Sequence, residues 1–203
     1  MSSATREDGT PDVLPEADSR ASGTALAPGL PSFREIHDRY FGFVWRYAAN
    51  RRVPPMAIDD VVQEVFLVVH HRLSSFEGRS SLKTWLAGIA HNVVRGYVRK
   101  PSNRATAQQY LDEELELLSP GASPAEMLER KAAVGLLHEL LDKLSEAQRD
   151  VFILSELEQL SSIEIAEVIG VNENTVRTRL FAARKLFNQH AARAHAQQKW
   201  SER

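Results

Sequence analysis

Apolar residues first fall into helical register at Phe33. From there Phe33, Ile36, Tyr40, Phe41, Val44, Trp45 and Ala48 recur at three- and four-residue spacing, the stripe of an amphipathic helix. Ser32-Phe33-Arg34-Glu35 fits a capping box at its start, and Val53-Pro54-Pro55 ends it. A second helix is predicted from Met56 to His71. It is apolar almost all round, through Val61, Val62, Val65, Phe66, Leu67, Val68 and Val69, and so belongs deep in its domain. Its polar residues Asp60, Gln63 and Glu64 are three and four apart and share one face. After the turn Ser74-Ser75-Phe76-Glu77-Gly78-Arg79, Ser80 or Ser81 opens a third helix through Trp85, Ile89, Val93 and Tyr97. That helix ends in Arg95, Arg99 and Lys100 and stops at Pro101.

The periodicity lapses on either side of this block. Residues 1–31 are rich in Ser, Thr, Ala, Pro, Gly and Asp, too polar to offset chain entropy by burial, and predict a disordered tail. Residues 101–123, with the acidic patch Asp112, Glu113, Glu114 and Glu116, predict a flexible linker. Order resumes at Ser123-Pro124-Ala125-Glu126, a capping box with proline at the first helical position. Leu128, Val134, Leu137, Leu140, Leu141 and Leu144 belong to that helix or its end. Ser145-Glu146-Ala147-Gln148 caps another, running through Val151, Phe152, Leu154 and Leu157. No strand-like alternation occurs. The chain reads as all-α: two small helical domains, 32–100 and 124–190, on a flexible linker, with a tail at 191–203.

The sharpest local pattern lies between residues 161 and 187. Ser161-Ser162-Ile163-Glu164 starts a short helix holding Ile165, Ala166 and Ile169. Gly170 stops it, Val171 follows, and Asn172 caps a second helix with Val176, Leu180 and Phe187. A helix-turn-helix needs a small residue at the crossing, a residue tolerant of positive φ in the turn, and an apolar lock on the second helix. Ala166, Gly170 and Val176 meet these needs. The second helix carries Asn174, Thr175, Arg177, Thr178, Arg179, Arg184 and Lys185, groups suited to base edges and phosphates in a major groove.

Composition narrows the chemistry. Twenty-five Lys and Arg against 27 Asp and Glu give a net charge of -2, so DNA contact must come from local basic clusters. With no cysteine, thiolate metal sites, disulfides and thiol catalysis are excluded. His70 and His71 are adjacent and point to different faces. His190 and His195 are five apart, with no carboxylate to complete a metal site. No catalytic set, cofactor or metal is expected. The longest apolar run, Val65 to Val69, is too short to span a membrane, and residues 1–31 lack the pattern of a secretory signal. A cytoplasmic protein without membrane contact of its own is the expectation.

Taken together, the strings resemble the extracytoplasmic-function group of the sigma-70 family. In the first half they are Asp60-Val61-Val62-Gln63-Glu64-Val65-Phe66, Phe76-Glu77-Gly78-Arg79-Ser80-Ser81, Thr84-Trp85-Leu86 and Ile89-Ala90-His91-Asn92. In the second they are Leu144-Ser145-Glu146-Ala147-Gln148-Arg149, Ile165-Ala166-Glu167-Val168-Ile169-Gly170 and Thr175-Val176-Arg177-Thr178-Arg179-Leu180. The resemblance covers about residues 32–100 and 124–188 and implies a sigma factor that directs promoter recognition and opening. It assigns Asp60, Gln63 and Glu64 to docking on core RNA polymerase. It assigns Phe76, Gly78, Arg79, Ser80, Ser81 and Asn92 to capture of an unpaired base of the single-stranded -10 element, with Arg95, Arg99 and Lys100 holding phosphates. Asn174, Thr175, Arg177, Thr178, Arg179, Phe181, Arg184 and Lys185 fall to the duplex -35 element. An anti-sigma factor is a further partner that the resemblance implies.

The chain departs from the family pattern at two positions. Ala182 stands where many relatives carry an arginine, and Gly96 where some present a polar contact. The residues from Asn188 onward have no counterpart in the pattern. A stand-alone helix-turn-helix regulator, with residues 32–100 as a sensing or dimerisation domain, is the competing reading. It leaves the Gly78 loop and the basic end of the third helix without a role.

Overall fold

The computed structural model describes residues 30–100 and 123–201. The expected tail over residues 1–29 and the linker over 101–122 lie outside them. All regular secondary structure among the described residues is helical.

The first unit holds α1 (Phe33–Asn50), α2 (Pro55–Arg72) and α3 (Leu82–Arg99), with one 3-10 turn at Leu73–Ser75 after α2. Ser32 and Glu35 form the predicted capping box on α1, Pro55 takes the first position of α2, and Ser81 caps α3 through the Thr84 amide. The apolar girdle of α2 is buried as its composition requires: Val61, Val62, Val65, Phe66 and Val69 are all in the core. Leu67 is the exception, pointing outward with Met56 and Phe41.

The second unit holds α4 (Pro124–Asp142), α5 (Glu146–Phe152), α6 (Ser162–Ile169) and α7 (Glu173–Ser201). Capping boxes at Ser123/Glu126, Ser145/Gln148 and Ser161/Glu164 open α4, α5 and α6. The sequence runs α5 as one helix through Leu157. The structure instead widens to a π turn at Ile153–Leu157, where the Glu158 amide reaches back five residues to the Ile153 carbonyl. The inserted turn leaves Gln159 in the left-handed region (φ 59°) and carries the carboxylate of Glu158 inward to 3% exposure. At the other end, α7 continues through the expected tail as far as Ser201. Ala191, Ala192, Arg193, Ala194, Ala196, Gln197, Gln198 and Lys199 are strong helix formers and account for the extension.

The two units pack together. A single hydrophobic cluster runs from Trp45, Leu86 and Ala90 into Leu141, Phe152 and Ile165, and α3 lies directly against α6. Around that seam the first unit presents cations and the second carboxylates. Arg46 meets Glu158 at 3.2 Å, Arg51 meets Asp150 at 2.8 Å and Glu146 at 3.6 Å, and Arg52 pairs with Asp142. Arg52 adopts a positive φ of 66° just past the end of α1, a turn that brings it to Asp142.

Candidate nucleic-acid interface

Three surfaces carry the residues that the sequence singles out. The first is the polar face of α2. Asp60, Gln63 and Glu64 are all exposed there, while Val61, Val62 and Val65 anchor the opposite face. Gln63 borders an apolar groove between α1 and α2 whose floor is Phe66, with Phe41 and Leu67 at its rim.

The second surface is the loop before α3 and the outer face of that helix. Gly78 sits in the left-handed region (φ 69°), where a side chain would be strained and the backbone turns sharply. Phe76 is half-buried, its ring 5.1 Å from that of Trp85, and Trp85 packs against the core as its helical position predicts. Arg79 pairs with Glu77, so its charge is already partnered within the loop. Ser81 is committed too: its hydroxyl accepts from the Thr84 amide at 3.0 Å and lies 2.8 Å from the Thr84 hydroxyl. Ser80 is half-buried beside it.

Along α3 the predicted contacts divide. Asn92 and Lys100 line a cleft of about 450 Å³ between α2 and α3, with Glu64, Val68, Gly96 and Tyr97. Gly96 leaves this cleft open where a side chain would narrow it. Arg95 and Arg99 are one helical turn apart and turn the other way, toward the second unit. Arg99 lies 3.7 Å from Glu146, and Arg95 contributes to the field around His91 and Asp150.

The third surface is α7. The Gly170 cap is left-handed (φ 69°, ψ 43°), its amide and that of Val171 both return to the Ala166 carbonyl, and Asn172 caps α7 by accepting from the Thr175 amide at 2.8 Å. Val176 is fully buried, and Leu180 and Ala183 continue its face into the core. Ala166 is half-buried against the same cluster. Asn174, Arg177, Thr178, Phe181 and Lys185 stand together on the exposed side, and Phe181 is 74% exposed. Arg184 flanks them and reaches Glu156 at 2.6 Å, while Arg177 pairs with Glu173 at 2.6 Å. Thr175 and Arg179 are half-buried. Arg179 lies about 200° around the helix from Arg177, so the two arginines occupy opposite flanks.

Sequence reasoning missed the seam between the units. Arg51 is 2% exposed, His91 3% and Asp150 7%. Tyr47, wholly buried, shares a 3.0 Å hydrogen bond with His91 Nδ1. Burial, then the neighbouring Arg51 and Arg95, pull His91 down to about 4, so its ring is neutral near pH 7. Burial raises Asp150 above the ordinary carboxylate range despite Arg51. The Arg51–Asp150 contact is close, yet Arg51 Nε, Arg51 Nη2 and Asp150 Oδ1 make no aligned hydrogen bond. A charge pair of that kind keeps much of its desolvation cost. Arg149 serves differently, donating to the Leu141 and Leu144 carbonyls at the end of α4. The sequence did hold one signal: Arg149 and Asp150 directly precede Val151 and Phe152 in a short helix with little solvent-facing surface to spare.

Among the described residues no group of His, Asp and Glu is arranged to hold a metal, and no helix is long and apolar enough to cross a membrane.

The geometry agrees with similarity to known proteins. Residues 36–104 match the family description "Sigma-70 region 2" and residues 135–187 match "Sigma-70, region 4". The ECF RNA polymerase sigma-E factor of Haemophilus influenzae is 30% identical over 151 residues, 71% of this chain and 77% of that protein. The RNA polymerase sigma factor YlaC of Bacillus subtilis is 29% identical over 153 residues, 75% of this chain and 88% of that one. Among solved structures, the sigma factor RpoE from Bartonella quintana, in complex with the anti-sigma factor NepR, superposes with a TM-score of 0.61. It is 20% identical, covering 79% of this chain and 96% of that one, a likeness of fold.

Proposed function

This chain belongs to the extracytoplasmic-function group of the sigma-70 family and is an alternative sigma factor, and we propose that it divides promoter recognition among the three surfaces just described. The exposed α2 face of Asp60, Gln63 and Glu64 docks on core RNA polymerase. The Gly78 loop and the Asn92–Lys100 cleft hold the unpaired -10 strand. The exposed face of α7 enters the major groove at the -35 element. The factor is a binding protein without catalytic chemistry of its own, and it works in the cytoplasm, where the polymerase is.

The observation that carries this reading is the placement of Asn174, Arg177, Thr178, Phe181 and Lys185 on one exposed helix face, directly after a left-handed glycine turn. Amide, hydroxyl, guanidinium and ring on one face supply the hydrogen-bonding and thymine-methyl contacts of major-groove readout. The -10 reading rests on Gly78, which lets a backbone approach a base closely, and on Asn92, which both donates and accepts. Within the -10 set, Phe76 packs on Trp85 and Ser81 caps α3, so these two shape the loop; Arg79 and Ser80 lie between them. An anti-sigma factor is a further partner, supported by family membership and by the complex in which the Bartonella relative was solved.

In vitro transcription with core polymerase on genomic fragments tests the reading. Start sites preceded by a shared pair of elements are expected, and they should vanish when either the factor or core is omitted.

A further inference from the structure

Most cations of the candidate interface already lie against a carboxylate: Arg79 on Glu77, Arg99 near Glu146, Arg177 on Glu173 and Arg184 on Glu156. The cleft between α2 and α3 differs. Glu64, Arg72, Asn92 and Lys100 are exposed at its rim, and among the described residues none pairs with their side chains. Beneath them Val68, Ile89 and Val93 form an apolar floor. An apolar floor of about 450 Å³ with a few convergent polar groups has the make-up of a small-ligand site.

The order of groups along the cleft follows from topology. Asp60, early in α2, adds its charge to the field at Tyr97, late in α3, so the two helices run antiparallel. Glu64, one turn after Asp60, therefore lies at the level of Gly96. Gly96 is the gap in this wall. A Cβ there would meet nothing within 4 Å, and the residue is helical, so neither packing nor a left-handed turn calls for glycine. Glycine inside a helix costs stability relative to alanine. What it leaves is room for a flat group to reach the α3 backbone beside a carboxylate.

We propose that the cleft is a guanine seat: an unpaired guanine of the -10 strand lies over Gly96 and donates its N1–H and N2–H to the Glu64 carboxylate. The inference rests on the -10 reading above and names the base that the site selects. Among the four DNA bases only guanine carries two adjacent donors on its Watson–Crick edge, the pattern that a carboxylate accepts with both oxygens. Its O6 is an acceptor and suits Lys100, one turn past Gly96. Adenine and cytosine place an acceptor where guanine has N1–H, against the carboxylate, and thymine lacks the second donor. In a duplex guanine's donors are held by cytosine, so the seat takes the base only from an open strand.

Glu64 also belongs to the proposed docking face, so the test varies the base and Gly96 instead. Core polymerase with the full chain is bound to a mapped promoter whose -10 region is held open as a bubble. Each non-template position of the bubble carries guanine, inosine or adenine in turn. Inosine is guanine without its N2 amino group. One position should favour guanine over inosine about tenfold, the loss of one charge-assisted hydrogen bond, and over adenine by more. Gly96→Leu should fold, since its Cβ enters open space, and should bind guanine and inosine alike at that position. Gly96→Ala, which adds one methyl and strengthens the helix, should lose part of the preference while melting at a higher temperature. Discrimination under about threefold at every position overturns the seat, and so does a preference that both Gly96 variants keep in full. A holoenzyme that binds and opens no promoter would instead remove the -10 reading on which the seat rests.

Discussion

The carboxylate of Glu164 belongs to two structures at once: it closes the capping box of α6 on Ser161 and accepts the Thr84 hydroxyl of α3 at 2.9 Å. These hydrogen bonds, led by that of the Ser161 backbone, hold it below the usual carboxylate range. One side chain therefore caps the helix-turn-helix and ties it to the unit that carries the Gly78 loop. Energetic coupling between the two recognition units follows from that sharing, and several consequences are measurable.

Removing one charge of the buried pair should be costly and removing both should not. Asp150→Ala leaves Arg51, at 2% exposure, without its nearest counter-charge and is expected to destabilise the chain by about 3–5 kcal/mol in urea unfolding. Arg51→Met combined with Asp150→Leu should restore most of that loss. A double variant as unstable as the single one would show that hydrogen bonding, not charge burial, governs the site.

Stability should fall on mild acidification through His91. Its folded value of about 4 lies below its ordinary 6.5, so the unfolded chain binds the extra proton. The contribution is complete above about 6.5 and is lost as pH falls toward 4, about 3 kcal/mol across the window. Asp150 and Glu158, both raised by burial, act with the opposite sign. His138, also lowered by burial, adds a fall of the same sign, so His91 carries part of the slope between pH 5 and 6.5. His91→Gln should reduce it in denaturant titrations at about pH 5 and about pH 7, leaving the share that His138 contributes. An unchanged slope would place the titration elsewhere.

Much of this molecule was legible in its sequence, for local reasons. Ser32, Ser123, Ser145 and Ser161 each precede a glutamate or glutamine by three, and all four open helices as capping boxes. Gly170, Asn172 and Val176 gave the helix-turn-helix because each acts within a few residues of itself. The seam was not legible. Arg51 and Asp150 are far apart in the chain, and nothing in either segment specifies its partner. The π turn at Ile153 was hidden for the same reason, since its apolar residues fit an ordinary helix equally well. Arg179 also read as one more exposed cation on the recognition helix; only the packing of Val176 and Leu180 shows which flank it takes.

The two recognition-helix arginines should behave differently. Arg177, on the exposed face, is expected to read a base: Arg177→Ala should cost about 1–3 kcal/mol at the preferred -35 element and relax one position. Arg179, half-buried on the opposite flank, should act on the backbone, so Arg179→Ala weakens all promoters alike. Competition binding across a set of -35 variants separates the outcomes. Equal loss of selectivity in both would mean the helix enters the groove rotated from this face.

Charge reversal at Asp60 or Glu64 should abolish binding to core polymerase while helical content by circular dichroism stays unchanged, because both side chains are exposed. Loss of fold in either variant would show that the α2 face is structural.

The most direct measurement is strand opening on a mapped promoter, read as permanganate reactivity of thymines in the -10 element. Core polymerase with this factor should open the duplex, and neither should do so alone. Asn92→Ala, or a bulky residue in place of Gly78 (Gly78→Trp), should reduce the reactivity several-fold while core binding is retained. A pre-melted -10 bubble should restore only part of it. Tight duplex binding by the factor without core, with no thymine reactivity when core is added, would contradict the account and favour a stand-alone regulator.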